Sequence, residues 1–322
     1  MSRAARRGEG ARGLQHHLDA ARVHYRWDNS LPPALEIEPG DSVVFEVRRG
    51  DEGLFDWDST AADVLRWKFK GHPLSGPVFV KGAQPGDALE IEILALEPGE
   101  QGFTMIAPGF GLLPDVFPGP YLKIWDLRDG STARFAPGIE VPIEPFCGVM
   151  GVAPAEPGEH TTMPPRRVGG NMDVKHLTVG TTLSLPVEVE GALFSVGDAH
   201  AAQGDGEVCV TAIETSMTAT LCFAVRADLR LPGPQFRTAG PLTRRTNTGG
   251  WYATTGIGPD LMAACREATL AMIAYLGRAR DLAPADAYAL CSVAMDLKIS
   301  EVVDAPNWVV SAFLPLSIFQ AE

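Results

Sequence analysis

Side chains able to catalyse a reaction or bind a metal concentrate in one window of the sequence, residues 144–214. The window holds three of the seven histidines, together with carboxylates, carboxamides and one lysine. Carboxylates and imidazoles serve as general acids and bases and as ligands for divalent cations. We therefore expect the chemistry of the protein to lie here. The candidate residues are His160, Asn171, Asp173, Lys175, His176, Asp198, His200, Gln203, Asp205, Glu207 and Glu214.

The first cluster in this window is the segment 169–176, which reads GGNMDVKH. Its paired glycines, Gly169 and Gly170, allow a sharp bend or the close approach of another backbone. Asp173 and His176 are three positions apart, so they would share one side of a helical turn. The segment therefore predicts a carboxylate and an imidazole presented together next to a bend.

The second cluster is the segment 197–207, which reads GDAHAAQGDGE. Asp198 and His200 are two positions apart and would lie on one face of a strand. The run Gly204-Asp205-Gly206 is typical of a tight turn, which would return Glu207 to the same place. The two clusters together predict carboxylates and an imidazole that converge on one point.

Carboxylate and imidazole groups from two loops favour a divalent metal site, and zinc is the metal that suits them best. A catalytic zinc keeps three protein ligands and one open position. It lowers the pKa of a water molecule there to about 7 and polarises a carbonyl, while a nearby glutamate moves the proton. The sequence has no HExxH motif, and spacing alone equally allows Asp173, Asp198 and Asp205 as turn caps and His176 as a core residue.

A nucleophilic mechanism has less support in the sequence. There is no GxSxG motif, which rules out the serine arrangement of an α/β-hydrolase. Cys147 could act as a thiol nucleophile, but a buried, inert cysteine is the commoner situation for this residue type.

The overall charge limits the partners. Lysine and arginine number 27 against 40 aspartates and glutamates, a net charge of −13. Nucleic acids and anionic membranes attract basic surfaces, so we expect neither as a partner. The five cysteines form no CxxC pair, and no apolar run is long enough for a signal peptide or a transmembrane helix. A reduced, cytoplasmic protein is the expectation.

The elements that would carry these residues are mainly strands. Leu35–Glu38 and Ala88–Leu94 alternate apolar and acidic residues, each next to a Pro-Gly-Asp turn. Further strands are predicted at 42–47, 182–190, 208–213 and 217–225, and a long apolar loop at 99–119. Short strands separated by 26 prolines and 34 glycines are typical of an antiparallel β-sandwich or barrel-like core.

The pattern changes after the proline-rich run at 231–234. Leu261, Ala264, Ala268 and Met272 follow helical spacing, with Pro259 at the first helical position and Asp260 in the first turn. A second helix is predicted over 284–294, and Val302-Val303 and Trp308–Phe313 are predicted to be closing strands. The predicted fold is mainly β, of the α+β class: a flexible N-terminus (1–20), a β-rich domain (21–230) and an α+β part (231–322) packed on it.

Several stretches resemble the acetamidase/formamidase family, and the likeness runs nearly end to end. The most specific is Phe194 to Glu207, FSVGDAHAAQGDGE; the others are weaker by themselves. One departure is Gly53-Leu54-Phe55-Asp56, where relatives usually have a Gly-Gln pair, which puts the size of the substrate in doubt. The other stretches are 23–27, 72–78, 145–154, 169–173, 212–214, 254–256 and 296–300.

The resemblance implies hydrolysis of a small linear amide to a carboxylate and ammonia. It also implies a β-rich fold, a homo-oligomer and a divalent metal ion, for which zinc is our interpretation. Opening of a small lactam and a catalytically silent amide-binding protein are the alternatives. The implied site roles fall into three sets. They are Asp173, His200 and Glu214 as metal ligands, Glu207, Asn171 and His72 as catalytic or pocket residues, and Gln203 and Phe146 as substrate-binding residues.

Overall fold

A computed structural model of the chain describes residues 13–240, 249–303 and 305–320. The first twelve residues of the predicted flexible N-terminus lie outside these ranges. The described strands are β1 (Gln15–Leu18), β2 (Val23–His24), β3 (Arg26–Trp27), β4 (Leu35–Ile37), β5 (Ser42–Val47), β6 (Leu74–Val80), β7 (Ala88–Ile106), β8 (Tyr121–Asp126), β9 (Thr132–Ala136), β10 (Ile139–Pro142), β11 (Phe146–Gly151), β12 (His160–Thr161), β13 (Gly169–Asn171), β14 (Thr182–Pro186), β15 (Phe194–His200), β16 (Glu214–Arg226), β17 (Gln235–Arg237), β18 (Trp251–Gly258), β19 (Asp296–Glu301) and β20 (Trp308–Pro315).

The helices are fewer. The α-helices in the described ranges are α1 (Leu261–Arg280) and α2 (Pro284–Ala294), and two 3₁₀ helices span Ala61–Arg66 and Leu316–Ile318. Asp260 caps the N-terminus of α1, its side chain accepting a hydrogen bond from the amide of Ala263 at 2.7 Å. The prediction that Asp260 lies in the first turn is therefore wrong by one position, because its extended backbone places it before the helix. No helix in the described ranges is both long and apolar enough to cross a membrane.

The largest sheet in the described part of the chain has thirteen strands. Its central path runs β13-β11-β15-β16-β7-β14-β17, and the remaining strands branch from it. Nearly all pairs are antiparallel; β1 with β5 and β4 with β6 are parallel. A separate sheet, β18-β20-β19, packs with α1 and α2 at the C-terminal end. The predicted fold class, mainly β with a C-terminal helical pair and closing strands, is confirmed, although the described sheet branches and does not close into a barrel.

The long antiparallel pair of β7 and β16 lies at the centre of the main sheet. Its register places Glu214 opposite Phe103 and Arg226 opposite Ala88. Leu89, Ile91 and Ile93 are fully buried, as their alternation with glutamates predicts. The predicted strand at 88–94 is thus correct but too short. The predicted loop at 99–119 is wrong over its first part, because β7 continues to Ile106 with β8 as its partner.

Two other predicted strands are wrong. The segment 208–213 is a loop, because the amide of Cys209 bonds the Ser292 hydroxyl and Val210 closes a turn onto Glu207 instead of joining a ladder. Val302 and Val303 lie beyond the end of β19, whose pairing with β20 stops at Glu301. The apolar character of these two residues does not indicate burial, since Val303 is 81% exposed.

Three aromatic rings fix the interior of the main sheet beneath β15. Phe45, Phe194 and Phe223 are fully buried, with ring centroids 5.1–6.3 Å apart in edge-to-face orientation. Such pairs add to the free energy already gained by burying their area. Phe194 begins the strand that ends at His200, so this packing anchors the strand that carries the candidate site.

We predict that Phe194→Ala lowers the free energy of unfolding by about 3–5 kcal/mol, because the cavity left among Phe45 and Phe223 cannot collapse fully. Urea denaturation followed by fluorescence measures this. The control is Phe236→Ala at a ring that is 44% exposed, which should cost no more than about 0.5 kcal/mol. Equal costs for the two variants would contradict the prediction.

Candidate functional site

Strand register places His200 in the centre of the site. His200 is the last residue of β15 and lies opposite Phe146 of β11 on one side and Glu214 of β16 on the other. Its side chain is completely buried, with the Phe146 ring packed edge-on at 5.0 Å. Asp198 lies two positions earlier on the same strand, as its spacing predicts. The sheet therefore fixes three of the groups before any loop contributes.

Carboxylates surround the His200 imidazole. Its Nε2 lies 3.2 Å from Glu214 Oε1, 3.6 Å from Asp198 Oδ2 and 3.9 Å from Glu207 Oε1. Two groups of possible metal ligands share this histidine. One is Asp173, Asp198 and His200, and the other is His200, Glu207 and Glu214; within each group the ligand atoms lie within 4.8 Å of one another.

A glycine beneath the imidazole makes room for Asp173. The amide of Asp173 donates to the carbonyl of Gly148 on β11 at 3.2 Å. A Cβ atom at position 148 would lie 2.5 Å from Asp173 Oδ1 and 2.9 Å from His200 Cε1. Any larger residue would therefore push these two side chains away. Gly148 is a site residue that the sequence analysis did not single out, and its only signal was its place in the stretch 145–154.

The turn and loop at 204–213 carry Glu207 and lead to Glu214. Ser292 of α2 donates its hydroxyl to the carbonyl of Thr211 at 2.8 Å, and Tyr288 donates to that of Val208. The Thr211 hydroxyl donates in turn to the carbonyl of Met105 on β7 at 2.8 Å. The C-terminal helices thus hold a loop without regular structure, which is how a glutamate from a loop stays beside a histidine from a strand.

The backbone is strained where it carries the carboxylates. Asp173, Asp198 and Glu207 have φ values of +49°, +54° and +41°, and Val210 has +78°. Non-glycine residues adopt this region rarely, and for a β-branched residue such as Val210 it is a clear outlier. Strain of this kind costs about 1–3 kcal/mol per residue and clusters at functional sites. The arrangement is therefore held against a local energetic penalty.

Burial and mutual repulsion shift the pKa values in the cluster. Burial, with Asp198 beside it, raises the pKa of Asp173 to about 8. Burial also raises the pKa of Glu207, with Asp173 adding to the effect. Asp198 goes the other way: burial opposes its ionisation, but the imidazoles of His72 and His200 hold its pKa below the ordinary value. Four carboxyl groups cannot all ionise here without a compensating positive charge.

The donor set fits a divalent cation. Three buried atoms have no hydrogen-bond partner within the part of the chain that the structure describes. They are both ring nitrogens of His200 and Oδ1 of Asp173. Unsatisfied buried polar atoms are costly, and several on one point need an explanation. A cation coordinated by imidazole nitrogen and carboxylate oxygen would supply it.

A cavity of about 80 Å³ leads from the surface to the cluster. Asp198, Glu207 and Glu214 line its inner end, and two of the predicted site residues, His72 and Asn171, lie beside them. The Asn171 side-chain amide donates to the carbonyl of Met163 at 3.0 Å, and its buried side-chain oxygen has no hydrogen-bond partner among the described residues. The other lining residues are Gly50, Trp67, Phe69, Phe103, Met105, Phe110, Met163, Val210 and Thr211.

Other predicted residues lie elsewhere. Phe146 packs behind His200, and Gln203 donates to the backbone carbonyl of Asp173 at 2.9 Å; neither belongs to the described lining of this cavity. His176 is not on a helical turn with Asp173, since the segment is irregular, and it faces Asp205 at 3.9 Å instead. No sequence pattern indicated the aromatic lining of the cavity, because its residues are distant in sequence from the carboxylates.

Cys147 is no nucleophile in this fold. It is fully buried on β11, and burial raises the pKa of its thiol to about 12. The thiolate is the reactive form, so the group is inert near neutral pH.

An ion pair ties the two clusters of the sequence to the C-terminal sheet. Asp296, the first residue of β19, is almost fully buried and pairs with Lys175. The same carboxylate oxygen accepts the amide of Asp205 at 3.1 Å. Asp296 thereby links the loop that follows Asp173 to the turn that precedes Glu207.

Comparisons with known proteins point in one direction. A family model described as the acetamidase/formamidase family matches residues 13–160 and 156–321. The chain is 30% identical over 248 residues to an acetamidase of Mycolicibacterium smegmatis, a match covering 58% of this chain and 61% of that protein. It is 26% identical to a formamidase of Methylophilus methylotrophus, over 93% of this chain and 90% of the relative.

A solved structure extends the likeness to three dimensions. The gamma lactamase from Delftia acidovorans superposes with a TM-score of 0.85 at 29% identity, covering 94% of this chain and 90% of that one. The chain is thus 26–30% identical to proteins named acetamidase, formamidase and gamma lactamase, and it shares the fold of the last.

We predict that Lys175→Met destabilises the protein by about 3–5 kcal/mol, because it leaves Asp296 buried without its cation. The matched control is Lys298→Met. Lys298 reaches the other oxygen of Asp296 at 3.7 Å but is 46% exposed, so its loss should cost at most about 1 kcal/mol. Urea denaturation of both variants measures the loss in free energy of unfolding. An equal loss in Lys298→Met and Lys175→Met would contradict the prediction.

Proposed function

The chain belongs to the acetamidase/formamidase family, and from that membership and the geometry of the site we propose that it hydrolyses small linear amides. The products are a carboxylate and ammonia. The single observation that carries the proposal is the cluster behind the inner end of the cavity, where the buried imidazole of His200 lies among four carboxyl groups, three of which line the cavity. The relatives named acetamidase and formamidase support the same reaction.

The proposal includes a divalent cation, and we take zinc as the best candidate. His200 would be the common ligand, joined by Asp173 and Asp198 or by Glu214, which agrees with the mixed nitrogen and oxygen donors that zinc accepts. A cation bound there supplies Lewis acidity, which polarises a carbonyl and lowers the pKa of water.

Glu207 is the general base of this proposal. It reaches the cluster from the turn at 204–206 and also lines the cavity, so its carboxylate can touch both the His200 side and a bound molecule. It would take a proton from the attacking water and deliver it to the departing nitrogen. A positioned carboxylate is the usual choice for such a shuttle.

Asn171 and His72 orient the substrate in this scheme. The buried Asn171 oxygen is an acceptor without a partner among the described residues, and the carboxamide NH₂ of a substrate is a donor that would suit it. His72 shares Thr162 as its hydrogen-bond partner through both its amide and Nδ1, which fixes the ring so that Nε2 points to Asp198 at 3.7 Å.

A small lactam is the second candidate substrate, favoured by the TM-score of 0.85 to the gamma lactamase. Ring opening breaks the same C–N bond but leaves one product, so no ammonia is released. Comparing ammonia release with amino-acid formation from a lactam separates the two. Binding of amides with neither product would instead favour a silent binding protein.

The proposal also includes a cytoplasmic location and a homo-oligomeric state for the protein. All five cysteines are free, three of them buried, which suits a reducing compartment. Val116, in the apolar loop after β7, is 43% exposed and could be covered by another copy.

We predict that the purified protein contains divalent metal and that chelation abolishes ammonia release from small amides, with zinc restoring it. Elemental analysis before and after chelation, beside an ammonia assay, measures both. Loss of the cation should also lower the thermal midpoint, since four carboxylates then repel. Full activity after verified removal of the metal would refute the metal role.

We predict that Glu207→Gln lowers kcat by about 10²–10⁴-fold, the usual contribution of a general base, while metal content is retained. Glu97→Gln, at an exposed glutamate of β7, is the control and should be as active as the natural protein. A variant that keeps its metal and turns over normally would rule out Glu207 as the base. A variant that loses its metal would make Glu207 a ligand instead.

A further inference from the structure

Aromatic side chains form one wall of the cavity from its mouth to the cluster. We call Trp67, Phe69 and Phe110 the aromatic wall. The ring centroids of Phe110 and Trp67 are 6.0 Å apart, and those of Trp67 and Phe69 are 5.8 Å apart. Phe69 then meets the ring of His72 edge-on at 5.0 Å. The wall is therefore continuous with the polar end of the cavity.

Most of the remaining lining is also apolar. Phe103 and Met105 of β7, each 2% exposed, line the cavity together with Met163 and Val210. The carboxylates lie at the inner end with Asn171, whose side-chain oxygen has no hydrogen-bond partner among the described residues. The cavity thus has two chemically different ends, and a molecule that fills it must match both.

The wall is held in place although it is partly exposed. Phe110 is 38% exposed, yet the next residues are anchored: the amides of Leu112 and Leu113 both donate to the Tyr288 hydroxyl at 3.1 Å. Large apolar side chains fixed at an open cavity gain free energy when an apolar group covers them.

We propose that the acyl group of the substrate lies along the aromatic wall and that the preferred substrates are amides of apolar acyl groups longer than acetyl. This inference rests on the proposed amidase function. The carboxamide must reach the cluster at the inner end, so the acyl chain extends toward Trp67 and Phe110. Formamide has no carbon to contact the wall, and acetamide has one methyl group.

The test is the specificity constant, kcat/KM, for ammonia release from formamide, acetamide, propionamide and butyramide. Each methylene buried against the wall should raise kcat/KM about fourfold, the value expected from burial of one CH₂ group. The ratio of butyramide to acetamide is then about fifteen. A ratio of one or less would overturn the inference.

Variants of the wall test the assignment of residues. Trp67→Ala and Phe110→Ala should each bring the butyramide-to-acetamide ratio toward one. Because the ratio compares two substrates on one preparation, partial unfolding does not change it. The control is Trp57→Ala, since Trp57 is 52% exposed, lies outside the described lining of the cavity and packs under Arg128. An unchanged ratio in both wall variants would overturn the assignment.

Failure of the amidase function is distinguished by a binding measurement. If no amide releases ammonia, the proposed function fails, and calorimetric titration with the same four amides then tests the wall alone. Affinity that rises from acetamide to butyramide, and loses that trend in Trp67→Ala, would support it. Flat or falling affinity would overturn it.

Discussion

Electrostatic repulsion among the carboxyl groups around His200 is the constraint on which the rest of the structure depends. Four carboxyl groups meet one imidazole in a buried space, with Nε2 only 3.2–3.9 Å from three of them. Burial disfavours each charge and proximity disfavours them together, which is why the pKa values of Asp173, Glu207 and Glu214 rise. Such an arrangement lowers the free energy of unfolding of the chain. Full ionisation of these groups requires a compensating positive charge, and keeping them together requires a scaffold that resists their separation.

The scaffold meets that requirement by combining rigid and irregular parts. Strand register fixes Asp198, His200 and Glu214, while an aromatic core beneath β15 supplies stability from apolar burial. The loops that bring Asp173 and Glu207 run through positive φ angles and are restrained by hydrogen bonds to β11 and α2. The C-terminal helices and sheet therefore contribute to the stability of the site, although Asp198 and Glu214 belong to the larger sheet.

The cavity joins this polar centre to an apolar surface. Carboxylates line the cavity together with His72 and Asn171, and most of the other lining residues are aromatic or aliphatic. In the proposed function, reactivity and selectivity depend on different side chains of this lining. The first depends on residues of the segment 171–214 together with His72, and the second depends on Trp67, Phe69 and Phe110.

The sequence by itself determined the strands that alternate apolar and charged residues, the two helices, and the convergence of Asp198, His200 and Glu207, because these follow from periodicity and turn chemistry within about ten residues. Asp173 and Glu214 were candidates from their residue types, and the family likeness added the expectation that they are metal ligands. Tertiary structure alone decided that Gly148 must lack a side chain, that His176 turns away, and that the segment 208–213 is a loop despite its apolar residues. It also decided that Trp67 and Phe110 line the same cavity as Glu207. Each of these depends on contacts between segments far apart in sequence, where backbone hydrogen bonds and close packing outweigh local preference.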